Sequence, residues 1–351
     1  MSSATDGVGP VLPYGERQLG TSVSSDHEHR MEALVLDSAA RAPRLTPTLE
    51  RGAPDIERDL VARELTRQYQ VVRPLGRGGM GAVYLARDVS LHRHVALKVL
   101  RNDLKTREDA RERFRAEARL SAQLEHPGIV PLYAFGETSR IMYMAMRYVP
   151  GESLGDRMRA KGRISPEETR LVLLQLARAL DYAHSQGVVH RDLKPENVLV
   201  DRETGRALLA DFSVARRRSW DPRPSELRCA FGTPHFMSPE QAVGEADLDG
   251  RSDLYGLGVL GYLMLAGRLP FTGESFAEIM AKHLFSPVPP LAGLAPHAPR
   301  DLVRAIECSL EKELDKRWQT GRQLAAALER GRTPFGMTRA IRRLFGAQRK
   351  A

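Results

Sequence analysis

The stretch His190-Arg191-Asp192-Leu193-Lys194-Pro195-Glu196-Asn197 crowds a carboxylate, an ammonium and an amide into one short loop, and the strand-like Val198-Leu199-Val200 follows it. Fourteen residues beyond Asn197 stands Asp211-Phe212-Ser213. The side-chain oxygens of Asn197 and Asp211 suit a hard divalent cation such as Mg²⁺ on a nucleotide. Asp192 can orient a hydroxyl and accept its proton, while Lys194 can neutralise charge on a transferred group.

Upstream, Leu75-Gly76-Arg77-Gly78-Gly79-Met80-Gly81-Ala82-Val83 spells G-x-G-x-x-G-x-V between two strand-like runs. A dinucleotide-binding fold needs a helix directly after such glycines, but here Val83-Tyr84-Leu85-Ala86 continues as a strand. The context therefore favours a hairpin whose backbone lies over phosphates, where no Cβ blocks close approach and N–H groups are free to donate. Next comes Val95-Ala96-Leu97-Lys98, an ammonium on an apolar strand. Only 8 of the 53 basic residues are lysines, so each lysine is informative. A buried strand lysine needs a carboxylate or a phosphate to meet it, and Glu117 is the best candidate. Spacing alone, with Arg113, Arg115 and Arg119 as neighbours, instead assigns Glu117 to a solvated helix face.

The rest of the chain fits around these motifs. Strand-like runs at 69–74, 82–88, 94–100, 130–136 and 141–148, with one charged helix near 107–124, predict a small β-rich lobe. After Gly151 the pattern turns helical. Leu171, Leu174, Leu176, Leu180 and Ala183 are spaced for a buried helix, and further helices are predicted near 253–266, 276–283, 299–309 and 321–330. Residues 1–66 are rich in Ser, Thr, Pro, Gly and charge, with Tyr14 their only aromatic, and read as a disordered or weakly ordered arm. Within it, 56–65 has helical spacing suited to docking on the folded part. Residues 331–351 form a basic tail in which Met337, Ile341, Leu344 and Phe345 share a helical face. Such a tail either caps its own domain or contacts an anionic membrane surface.

The chain has 351 residues, 42% of them apolar and 28% charged, with a formal net charge of +9. Two cysteines, Cys229 and Cys308, cannot build a disulfide framework. No stretch approaches the roughly 20 apolar residues of a membrane span, and the N-terminus lacks the layout of a secretory signal. The default location is cytoplasmic. The basic excess is thinly spread and lacks a recognised nucleic-acid-binding motif or stacking platform, so no nucleic-acid partner is expected.

Taken together and in order, these motifs resemble those of the eukaryotic-like serine/threonine protein kinases found in bacteria. The resemblance covers about 69–330. It is carried by the Gly76/Gly78/Gly81 loop, Val95-Ala96-Leu97-Lys98, Glu117 ahead of His126-Pro127-Gly128, His190-Arg191-Asp192, Asn197 and Asp211-Phe212. Gly232-Thr233-Pro234, Ser238-Pro239-Glu240, Asp253 with Gly258, and Arg317 follow in the same order. It implies an α+β, bilobal kinase fold over 67–330. A β-rich N-lobe with one helix would span about 67–150, and a larger, mainly helical C-lobe about 151–330. The implied activity is transfer of the γ-phosphoryl group of ATP, with Mg²⁺ or Mn²⁺, to Ser or Thr of protein substrates.

Residue by residue, the resemblance implies that Lys98 contacts the α- and β-phosphates and pairs with Glu117. Asp192 would be the catalytic base, Lys194 would assist it, and Asn197 and Asp211 would hold the metal. Leu75 and the loop glycines would cover the nucleotide. Its adenine would lie between Val83 and Ala96 above and Leu199 below, with Met146 at the back and the backbone of Arg147 to Val149 as hinge. Glu240 and Arg317 would form a buried ion pair, and Asp253 would cap the His-Arg-Asp loop.

Several positions depart from the pattern. Ser213 replaces the glycine after Asp-Phe, Arg147 a common hinge glutamate, Ser238 an alanine, and Leu314 a proline. Ser213 is the one feature favouring the alternative of a nucleotide-binding, pseudokinase-like scaffold. Residues 213–240 resemble an activation loop, with Ser225 and then Ser219 as sites for autophosphorylation between self-associating copies.

Overall fold

The computed structural model describes residues 56–78, 81–100, 104, 107–212, 234–245 and 247–330. Helix α1 (Ile56–Glu64) leads into a five-stranded antiparallel sheet. The strands are β1 (Tyr69–Arg77), β2 (Gly81–Asp88), β3 (His94–Leu100), β4 (Leu132–Glu137) and β5 (Met142–Arg147), in the spatial order β1-β2-β3-β5-β4. Helix α2 (Glu108–Ser121) is inserted between β3 and β4.

Side chains alternate across a strand, so the sheet has two different faces. Tyr84 faces Leu97 and Ala86 faces Val95, and these residues pack with Val61 and Leu65 of the α1 segment and with Tyr69 and Tyr143. The rings of Tyr69 and Tyr143 meet edge to face at 5.8 Å, and the Tyr143 hydroxyl donates to Gln68 Oε1 at 2.6 Å. Helix α1 thus closes one face of the sheet: the helical spacing at 56–65 suits this docking, and because Val61 and Leu65 are core residues the ordered lobe begins before residue 67, ahead of the boundary expected from composition. On the other face the pair Val83 and Lys98 is followed by Leu85 and Ala96. Leu100, Met142 and Met144 bury there against Phe114 and Ala118 of α2. The alternation of Val95-Ala96-Leu97-Lys98 is what sends the lysine toward α2 and its neighbours toward α1.

The glycine-rich hairpin joins β1 and β2, with Gly78 N donating to Gly81 O at 2.8 Å. Gly81 is sterically required. A Cβ there would lie 2.2 Å from the Val99 carbonyl oxygen of the neighbouring strand. Gly79 and Met80 lie outside the described residues.

Beyond the sheet comes a short antiparallel ribbon, β6 (Gly151–Ser153), which leads into helix α3 (Leu154–Lys161) and the long helix α4 (Pro166–Ser185). Ser165 caps α4 by accepting from Glu168 N, and Pro166 occupies its first turn, where a missing N–H does no harm. Strands β7 (Val198–Asp201) and β8 (Ala207–Leu209) complete the ribbon in the order β6-β7-β8. Helices α5 (Pro239–Ala242), α6 (Gly250–Ala266), α7 (Phe276–Phe285), α8 (Leu291–Leu294), α9 (Arg300–Ser309) and α10 (Gly321–Arg330) follow. Leu173, Leu176 and Leu180 of α4, Leu257 and Leu260 of α6, and Leu324 and Leu328 of α10 share the main core. The predicted helices near 253–266, 276–283, 299–309 and 321–330 are all present, whereas α3, α8 and the ribbon strand β6 carried too short a pattern to be read.

The buried end of the α1 segment gives a direct test of that packing. Leu65, 2% exposed, should cost about 2–4 kcal/mol when cut back to alanine. Urea unfolding of Leu65→Ala measures this, and wild-type stability would mean that the α1 segment is not part of the lobe's core.

Candidate active site

Three elements converge on one ammonium. Lys98 Nζ on β3 donates to Glu117 Oε1 of α2 at 2.6 Å and to Asp211 Oδ1 at 2.9 Å. Glu117 is buried together with Ala110, Phe114 and Ala118, which overturns its assignment by spacing to a solvated face. Glu117 follows Phe114 by three residues and Ala118 follows it by four, which puts Glu117 on the buried stripe of the helix. Burial opposes the charge on Lys98, but Asp211 and Glu117 outweigh it and hold the ammonium above its ordinary range. Burial pushes Glu117 up, and the attraction of Lys98 only partly offsets this. Burial acts on Asp211 in the same sense, yet there the lysine prevails and its carboxyl is held down.

The loop at 190–197 is built from satisfied backbone groups. Asp253, buried at the start of α6, accepts from His190 N and Arg191 N at 2.8 Å each and from His184 Nε2 at 2.7 Å. Gln241 of α5 donates to Arg191 O at 2.9 Å. These contacts hold Arg191 at φ 66°, in the left-handed region a non-glycine residue enters only when its surroundings impose it. His190 is fully buried, edge-on to Phe212 at 4.7 Å. Its Nδ1 accepts from Asp192 N at 3.3 Å and its Nε2 reaches Ala210 O at 3.1 Å, which fixes the tautomer with the proton on Nε2. Asp211 is also left-handed, at φ 59°.

Held this way, Asp192 Oδ2 accepts from Lys194 Nζ at 2.7 Å and from Asn197 Nδ2 at 3.1 Å, and Asn197 Nδ2 also donates to Asp192 O at 2.8 Å. With its nitrogen committed to the loop, Asn197 keeps Oδ1 as a free acceptor type. Asn197 and Asp211 therefore offer hard oxygen donors only, and among the described residues no cluster of three His, Cys, Asp or Glu could hold a metal unaided. Such a set fits Mg²⁺, which takes one or two protein oxygens and completes its shell with phosphates and water.

Of the other residues singled out, Met146 and Leu199 pack with Val149, Val130 and Leu208, Met146 also touching the Phe114 cluster, while Val83 and Ala96 share the Lys98 face of the sheet. Leu75 and Gly76 lie half-buried on β1, and Gly78 is exposed at its end. Glu240 and Arg317 form the expected buried pair, with Arg317 Nη1 and Nη2 each 2.8 Å from its carboxylate. Ser213, Ser219, Ser225, Cys229, Thr233, the arginine run at 216–218, and the tail 331–351 lie outside the described residues. Three participants had no visible signal: His184 and Gln241, which meet the loop only through the tertiary fold, and the Asp201 partner of Arg147.

Residues 69–323 match the protein kinase domain family. Serine/threonine-protein kinase pkn2 of Myxococcus xanthus is 43% identical over 270 residues, covering 75% of this chain and 32% of that protein. PrkC of Bacillus subtilis is 35% identical over 289 residues, 82% of this chain and 44% of that one. The crystal structure of the Mycobacterium tuberculosis PknI kinase domain superimposes with a TM-score of 0.59 at 30% identity, covering 75% of this chain and 95% of that one. The chain belongs to the bacterial-type serine/threonine protein kinase family, and it spans less than half the length of the first two relatives.

The support beneath the loop has a pH signature. Burial pushes the Asp253 carboxyl up, but His184 and the loop amides outweigh it and hold it below its usual range. The native state then binds fewer protons than the unfolded chain just below the ordinary aspartate pKa of about 3.9, so this stabilisation is complete above that pH and drains away below it. Asp253→Asn should cost about 3 kcal/mol at pH 7, and less as the pH falls through 4 toward 3. Urea titrations at several pH values would read this out; a loss that does not change with pH would mean that charge is not what holds the loop.

Proposed function

We propose that this chain transfers the γ-phosphoryl group of ATP to serine or threonine hydroxyls of protein substrates, including its own activation segment. The observation that carries the reading is the joint arrangement of Lys98, Glu117 and Asp211 beside the Asp192, Lys194 and Asn197 loop. Charged groups of both signs gathered in one cleft favour transfer over a scaffold that only binds nucleotide.

In this reading Asp192 accepts the proton of the attacking hydroxyl as its oxygen bonds to phosphorus and the bond to the ADP leaving group breaks. Lys194, already bound to Asp192, orients that carboxylate and screens the charge gathering on the transferred oxygens. Glu117 holds Lys98 extended toward the α- and β-phosphates. Asn197 and Asp211 supply the oxygens for Mg²⁺, which when bound neutralises phosphate charge. Val83, Ala96, Met146 and Leu199 enclose the adenine against the backbone of Arg147 to Val149, beneath Leu75 and the glycine hairpin. Most of the catalysis is thus positioning and charge placement, with little covalent chemistry asked of the protein.

Ser225, and after it Ser219, are proposed as autophosphorylation sites whose phosphate Arg191 would receive. Among the described residues no helix is long and apolar enough to cross a membrane; a cytoplasmic location is proposed on the sequence reading alone. Contact of the basic tail with anionic lipid remains a subsidiary proposal.

Phosphate transfer from labelled ATP with Mg²⁺, to the chain itself and to a generic basic protein, tests the reading directly. Asp192→Asn should lower turnover by about 10²-fold or more. Transfer at the wild-type rate would remove Asp192 from the role of base. Phosphopeptide mapping should place label at Ser225 or Ser219, and an active preparation unmodified there would end the autophosphorylation proposal.

A further inference from the structure

The linker between the lobes, residues 147–151, packs through Val149 against Leu208 and Leu199 and makes its polar contacts with the lower lobe at the end of β7. Pro150 O accepts from Arg202 N at 2.8 Å. Gly151 pairs with Asp201, so closely that a Cβ on Gly151 would lie 1.9 Å from the Val200 carbonyl oxygen. The third fastening is a side chain: Arg147 Nη2 stands 3.6 Å from Asp201 Oδ2.

The two partners are unequal. The Asp201 side chain is 3% exposed and that of Arg147 is 41% exposed. Asp201 divides its oxygens between two tasks. Oδ1 accepts from Glu203 N and Thr204 N, both at 2.9 Å, and shapes the turn into β8. Oδ2 is the oxygen that faces Arg147. Arg147 is likewise held on two sides, since its own backbone N donates to Pro131 O at 3.0 Å while its guanidinium reaches down to β7. The residue that begins the linker therefore ties the upper sheet, the segment before β4 and the lower ribbon together, and supplies the buried Asp201 carboxylate with a cation from among the described residues.

We propose that Arg147 is a positioning residue for the nucleotide: through Asp201 its side chain fixes the backbone of 147–149 against which the purine sits, and so sets affinity for ATP rather than the rate of transfer. The proposal rests on the reading of this cleft as an ATP site. An ion pair with one half-exposed partner has a modest effect, and the expected changes are correspondingly small.

The experiment uses the full chain with Mg²⁺ and ATP in four forms: wild type, Arg147→Met, Asp201→Asn and the double variant. Asp201→Asn keeps an oxygen for the two turn amides and removes only the charge. Nucleotide affinity is titrated directly, and KM for ATP and kcat are measured by phosphate transfer. Each single variant should weaken ATP binding and raise KM about twofold to fivefold, with a smaller change in kcat. The double variant should be no worse than the weaker single, because both remove the same interaction. Arg147→Lys should recover part of the loss. Single variants with wild-type affinity, or a double variant whose loss is the product of the two, would overturn the proposal. Because binding is titrated independently of turnover, a chain that binds ATP without transferring it overturns the kinase reading while the hinge effect is still measured; a chain that binds no ATP overturns both.

Discussion

The ammonium of Lys98 is the point on which the cleft depends. Its strand is apolar on both sides of it, so an unmatched charge there would be strongly unfavourable, and the fold supplies two carboxylates from elements distant in sequence. Glu117 reaches it only if α2 lies flat on the sheet through Phe114 and Ala118, and Asp211 only if the segment after β8 runs back under the upper lobe. One cation thereby couples a strand, a helix and the segment that follows β8. A buried ion pair contributes little net stability, but it is selective about arrangement, because any packing that leaves one partner behind strands a charge.

Asp253 plays the complementary part below the cleft, as a buried anion that gathers donors. Two of those donors are adjacent backbone amides of the 190–191 loop, and a carboxylate receiving both dictates the chain's direction between them. That is why Arg191 can stay in a left-handed conformation without glycine. The strain is local, and helix α6, one of the most thoroughly buried elements of the molecule, holds the anchor in place. Lys98 and Asp253 thus fix the upper and lower halves of the site by the same rule with opposite signs.

Much of this was legible in the residues. The alternation around Lys98, the strand after the glycine loop and the carboxylate-amide spacing of 192–197 each constrain local structure, and their order in the chain named the family. Glu117 shows where local reading failed. Counting charges along α2 put it among arginines, whereas the stripe Ala110, Phe114, Ala118 had already marked a buried side that included position 117. Charge composition describes a whole helix, but burial is decided face by face. His184, Gln241 and Asp201 were not legible because their partners lie far along the chain and their own neighbourhoods are ordinary.

Glu117 and Asp211 are displaced in opposite directions. Both face the same ammonium, yet Glu117 is raised and Asp211 lowered. Glu117, with its side chain 6% exposed, has no solvent to replace the lysine, whereas Asp211, at 38%, can be served by water or by another cation. In the proposed kinase reading, an anion competing for Lys98 would displace the more exposed Asp211 and leave the buried bond to Glu117 in place. The lysine can turn part of its charge toward a phosphate without releasing helix α2, and the carboxylate it gives up is the one whose oxygens suit a metal. The unequal burial of two carboxylates around one cation thus distinguishes two arms of the site, a buried one to Glu117 and a more exposed one to Asp211, and in the proposed reading the exposed arm is the one that exchanges.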